Sequence, residues 1–168
     1  MRQRTTAMMT GIAILAFAAA AWAATLPSTE RYGETFVTYA QVDRPDGSFR
    51  RMLTTPDALD RVVAGMPVPD GTRILMETWR GPEALGTVFH KHKVEGRWEY
   101  GSFSGNGVVD LSTRPQASCL SCHAGAAETD FTYTFPALDA APTVGLSRHF
   151  CDRGGRSPCA PDVYAVAE

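Results

Sequence analysis

Residues 118–125 read SCLSCHAG. Two of the chain's four cysteines stand there, two residues apart, with a histidine directly after the second. Cysteines so placed serve four chemistries: a disulfide, half of a zinc site, a redox pair, or covalent attachment of haem. Zinc takes four ligands, usually as two close pairs. The other cysteines, Cys151 and Cys159, have seven residues between them and make a poor second half. A thioredoxin-like pair calls for a βαβ setting, which the flanking sequence does not offer. Haem attachment uses all three residues. In C-x-x-C-H the two thiols add to the two vinyl groups of haem, whose separation the spacing matches on one helical turn, and the histidine is held under the iron as its axial ligand. Cys119, Cys122 and His123 are therefore read as the attachment site of one covalent haem c, with His123 as the iron ligand. A plain disulfide beside an unrelated histidine is the alternative.

The setting of the motif agrees with an exported protein. Arg2 and Arg4 form a charged start, residues 7–21 run AMMTGIAILAFAAAA, and Ala21-Trp22-Ala23 makes an A-x-A cleavage site. This is the pattern of a secretory signal peptide over 1–23, so residues 24–168 are expected as a single periplasmic domain. The whole chain has 168 residues and a formal net charge of −2. Losing Arg2 and Arg4 takes that charge to about −4. No basic stripe is present, which argues against nucleic acid as a partner. In an oxidising compartment, Cys151 and Cys159 are read as a structural disulfide closing CDRGGRSPC and tying down the tail.

The remaining pattern is that of a mainly β, α+β protein: an antiparallel sheet with a few short helices, packed on the haem. Residues 29–43, TERYGETFVTYAQVD, carry Tyr32, Phe36, Tyr39 and Ala40 at helical spacing. RPDGS at 44–48 is a turn, and FRRML at 49–53 a short strand. TTPDALDRVVAG, 54–65, predicts a helix with Thr55 as N-cap, Pro56 first and Gly65 at its end. Three strand-like runs follow, at 72–80, 86–94 and 96–104, as in an antiparallel meander. The cysteine motif sits on a short helix. DFTYTF at 130–135 alternates like a strand, and 137–168 reads as loop-rich. The motif comes late and no methionine follows Cys122, unlike a small electron-transfer cytochrome c; strands through 30–115 disagree with a four-helix cytochrome c′.

The runs FVTYAQVDRPDGSFRRMLTTPDAL, GMPVPDGTRILMETWR, RWEYGSF and SCLSCHAG…DFTYTF, in this order over about 30–136, resemble the cytochrome P-460 family and its relatives, the β-sheet cytochromes c′ or cytochromes c′-beta. The resemblance implies a mostly antiparallel β fold, one c-type haem, a proximal histidine and a homodimer. It also implies one of two activities. Some members oxidise hydroxylamine on a haem cross-linked to lysine; others bind nitric oxide or carbon monoxide at an open distal face. By the family pattern the cross-linking lysine would stand where this chain has Met76. That departure favours a small diatomic or nitrogen-oxide ligand over hydroxylamine chemistry. A third reading is an electron carrier, served by a redox partner cytochrome, with Met76 or a histidine as sixth ligand.

Other residues carry expectations. Met76 reads as core filler or as a distal haem contact. Phe89 and Phe103 suit an apolar distal cap or an ordinary core. Lys91 and Lys93, the only lysines, share a strand face with Phe89 and are expected to be solvated, although either could make a haem cross-link. His90 and His92 lie on the opposite face and are expected at the surface. Arg50, Arg51, Arg73 and Arg80 are candidates to pair with the haem propionates, a solvated role being the simpler one for each. His149 has no assigned partner.

Overall fold

A computed structural model of the chain describes residues 26–155 and 157–166. The signal peptide expected at 1–23 falls outside the described residues. The elements, in order, are β1 (Ser28–Thr29), β2 (Phe36–Asp43), β3 (Phe49–Thr54), α1 (Pro56–Arg61), β4 (Arg73–Trp79), β5 (Leu85–Val94), β6 (Arg97–Ser104), α2 (Ala117–His123), α3 (Phe135–Val144) and β7 (Ser147–Phe150). Among the described residues the seven strands form one sheet, ordered β1 to β6 with every neighbour antiparallel; β7 adds to β2 in parallel. The expected mainly antiparallel β architecture with short helices is present.

The segment expected as a helix at 29–43 is strand β2. Seven of its eight residues are buried, because β3 lies on one side, β1 and β7 on the other, and side chains cover both faces. A strand buried on both faces loses period-two alternation. A register shift between Thr38 and Ala40 adds one more residue to the count. Together these produce a spurious helical spacing. Helix α1 forms as expected at its start, where Thr55 Oγ1 accepts the Ala58 amide at 3.3 Å. It ends at Arg61, before Gly65, because Val62 and Val63 are β-branched and Val62 is already extended.

DFTYTF is not a strand. Asp130 and Phe131 both have positive φ, +50° and +56°, forming a tight turn that leads into α3. Nor is the tail mostly loop: α3, β7 and a 3-10 turn at Pro161–Tyr164 occupy it. Ala137, Leu138 and Ala141 bury one face of α3 against the sheet. Cys151 and Cys159 are bonded to each other.

Each sheet face builds its own apolar cluster. On one, Leu53, Leu75 and Val88 pack with Tyr32 and Phe36. On the other, Met52, Met76 and Phe89 stand directly opposite one another across β3, β4 and β5. Ile74, Lys91 and Tyr100 make the next row across β4, β5 and β6. Helices α2 and α3 lie over this second face.

Candidate functional site

Helix α2 places Cys119, Cys122 and His123 at positions i, i+3 and i+4, one side of a helix. Its start is held to β6 by Gln116 Nε2, which donates to the Tyr100 carbonyl at 2.8 Å. Both thiols are free, with Cys122 exposed and Cys119 half-buried. All three residues border one cavity of about 680 Å³, within the usual range for a small-molecule or cofactor site. Met52, Ile74, Met76, Phe89, Lys91 and Tyr100 form its sheet wall. Thr132 and Tyr133 continue the wall that begins with α2; Arg44 from the β2–β3 turn and Arg50 from β3, with Gly155 and Pro158 from the C-terminal loop, supply another.

The His123 ring is set by backbone. Its Nδ1–H donates to the Phe131 carbonyl at 2.8 Å, which leaves Nε2 as the nitrogen with a free lone pair. Tyr100 and Tyr133 flank the ring, with centroids 5.4 and 6.0 Å away. Burial, and next the positive field of Lys91, hold its pKa down at about 4 against a smaller opposing effect of the Phe131 bond. At neutral pH it is the neutral imidazole that metals bind.

The lysines are not solvated, contrary to expectation. Lys91 is 5% exposed. Its Nζ donates to the Phe131 carbonyl at 2.9 Å and to Thr132 Oγ1 at 2.6 Å. It also lies 3.9 Å from the centre of the Trp98 ring. Burial pushes its pKa well below the ordinary lysine value, with Asp130 opposing that effect. Lys93 turns to the Asp130 carboxylate at 2.7 Å and does not border the cavity. The reason is tertiary: the 130–132 turn folds back over β5 and brings acceptors to a face that the strand sequence alone leaves open.

Met76 borders the cavity half-buried, and Phe89 borders it with 36% exposure, so Phe89 is not core filler. Phe103 is on the other sheet face, packed edge-on against Tyr32, and caps nothing here. His90 is buried rather than at the surface; its ring packs on Phe103 and both ring nitrogens lack a partner. His92 is half-buried on that same face. Arg50 borders the cavity and donates to the Gly155 carbonyl at 2.6 Å. Arg80 borders it from an exposed position. Arg51 lies over the stacked Phe49 and Trp79 rings, and Arg73 donates to the Leu111 carbonyl. His149 packs near Tyr164.

Sequence reasoning missed Tyr100, Asp130, Thr132 and the Phe131 carbonyl. The one signal available was Asp130, a residue type that tolerates left-handed backbone. Among the described residues no three His, Cys, Asp or Glu side chains converge to hold a metal ion. Compared with models of known protein families and with curated proteins, the chain matches none.

Proposed function

We propose that this chain is an exported, periplasmic c-type cytochrome with one haem, of the cytochrome P-460 and cytochrome c′-beta kind, and that it binds nitric oxide or a similar small nitrogen or gas ligand. The observation that carries the reading is convergence. Two free thiols and a neutral imidazole with one nitrogen already engaged border the same mostly apolar cavity.

The residues present fit the group. Cys119 and Cys122 would hold haem through its vinyl carbons, and His123 Nε2 would ligate the iron. Haem supplies, when bound, a redox-active iron with a position for a sixth ligand. The chain supplies the surroundings. The Phe131 carbonyl fixes the imidazole tautomer and ring plane. The row Met52, Met76 and Phe89 gives an apolar wall, which disfavours charged ligands and suits an uncharged diatomic that needs no hydrogen-bond donor. Arg50 borders the cavity and would be the residue to meet a carboxylate such as a haem propionate.

One observation favours a second reading, a haem cross-linked to lysine and acting on hydroxylamine: Lys91 borders the cavity. Its nitrogen, however, is already bonded beside His123.

The test is expression through a haem-attaching export system, followed by intact mass and optical spectra of the ferric and ferrous protein with and without nitric oxide. One covalent haem, a high-spin ferrous spectrum and a prompt shift with nitric oxide are expected. A chain without haem sinks the reading, and a low-spin spectrum indifferent to nitric oxide replaces ligand binding with electron transfer. A strongly red-shifted, broad ferrous Soret band that disappears in Lys91→Ala would favour the enzyme.

A further inference from the structure

We propose that Lys91 is a positioning residue that weakens the electron donation of His123 to the iron, by competing for the acceptor that His123 uses. The inference rests on the haem site proposed above and deepens it.

Two donors meet on one oxygen. The Phe131 carbonyl accepts His123 Nδ1–H at 2.8 Å and Lys91 Nζ at 2.9 Å. A carbonyl oxygen has two lone pairs and can take both, but each donor draws density from the same atom, so each bond is weaker than it would be alone. An imidazole that ligates a metal becomes a stronger donor as its other N–H is given up more fully to an acceptor. Lys91 therefore limits how far His123 moves toward imidazolate character.

The arrangement is built rather than incidental. Phe131 is held at φ +56° directly after Asp130 at +50°. For a bulky residue this backbone is rare, and non-glycine residues in it carry strain that surrounding structure must hold in place. The surroundings do so: Trp98 Nε1 donates to the Asp130 carbonyl at 2.8 Å, and the Asp130 side chain is bonded by Lys93. The strained turn is what aims the Phe131 oxygen at both donors. Lys91 cannot swing away, because Thr132 Oγ1 holds the same nitrogen and Trp98 covers it. The effect does not depend on charge, since Nζ carries enough hydrogens for both oxygens as an ammonium or as an amine.

Lys91→Met removes the second donor at nearly constant volume, and Thr132 Oγ1 keeps its bond to the Asp130 carbonyl. In the haem-loaded protein the expected result is an iron–histidine stretching band at higher frequency in the ligand-free ferrous state, read by resonance Raman. The ferric form should gain about tenfold over the ferrous, a fall of about 59 mV in midpoint potential for one electron. Lys91→Gln, whose amide nitrogen stops short of the lysine nitrogen, should move both readouts the same way by less. If Lys91→Met does not fold, Lys91→Gln decides. Haem-bearing variants whose band and potential stay in place overturn the proposal while leaving the haem reading intact. A wild-type chain that carries no haem overturns both.

Discussion

Lys93 Nζ lies 2.7 Å from Asp130 Oδ1 and 2.8 Å from Oδ2, and both side chains are largely out of water. The pair joins strand β5, next to the edge strand β6, to the turn that orients His123. Asp130 also accepts the Val68 amide at 2.9 Å, so one carboxylate ties three segments together.

Asp130→Asn keeps a residue that tolerates positive φ and removes the charge. It leaves Lys93 buried and uncompensated, which costs about 3–5 kcal/mol. Chemical denaturation measures the loss. Adding Lys93→Met to this variant should restore part of it, since an apolar pair carries no unpaired charge.

His90 sets a pH dependence. Its ring is buried with neither nitrogen bonded. Burial first, then Arg73, and to a lesser extent His92, hold its pKa below the usual histidine value, with Asp110 opposing them. The folded state then binds fewer protons than the unfolded chain as pH drops below about 6.5. Its contribution to stability is complete above that pH and is lost as pH falls toward the lowered folded value. Urea midpoints at about pH 7 and about pH 5 should differ, and His90→Leu should shrink the difference. An unchanged difference would assign it to other groups.

Cys151–Cys159 anchors the wall of the cavity that holds Gly155 and Pro158. Closing so short a loop stabilises by about 2.5 kcal/mol on the chain-entropy estimate. Cys151→Ser with Cys159→Ser should lower the denaturation midpoint accordingly. It should also loosen the carbonyls that Arg44 and Arg50 bond, those of Arg153, Ser157 and Gly155. Faster proteolysis within 152–158 would report that second effect.

Phe89 tests the proposed open distal face. Phe89→Ala widens the sheet wall and should raise the association rate for carbon monoxide and nitric oxide, measured by flash photolysis or stopped flow. Met76→Ala, directly opposite it on β4, should act in the same direction. A spectrum that changes spin state in Met76→Ala alone would instead make Met76 an iron ligand.

Much of the fold was legible, because local chemistry encoded it. The meander β4–β5–β6 follows from alternation and from turns at Gly71, Gly81 and Gly96, all at positive φ. The start of α1 follows from Thr55 and Pro56. The meander could be read because it has distinct faces. β2 could not, since its side chains are covered on both sides and its parity is broken by a bulge. The tail could not either: α3 carries prolines at 136 and 142, which read as breaks, and β7 is four residues that exist only by pairing with β2.

For the site, the sequence by itself determined the cysteine motif, since Cys119, Cys122 and His123 are neighbours on one helical turn and need no long-range contact to stand together. It also determined that Phe89, Lys91 and Lys93 share a strand face. Only the tertiary structure decided what that face meets. The turn at Asp130 and Phe131 crosses back over β5, buries both lysines and gives His123 and Lys91 one acceptor, although 40 residues separate Lys91 from Phe131. Strand periodicity says which side chains lie together; it cannot say which distant backbone oxygen will arrive to meet them.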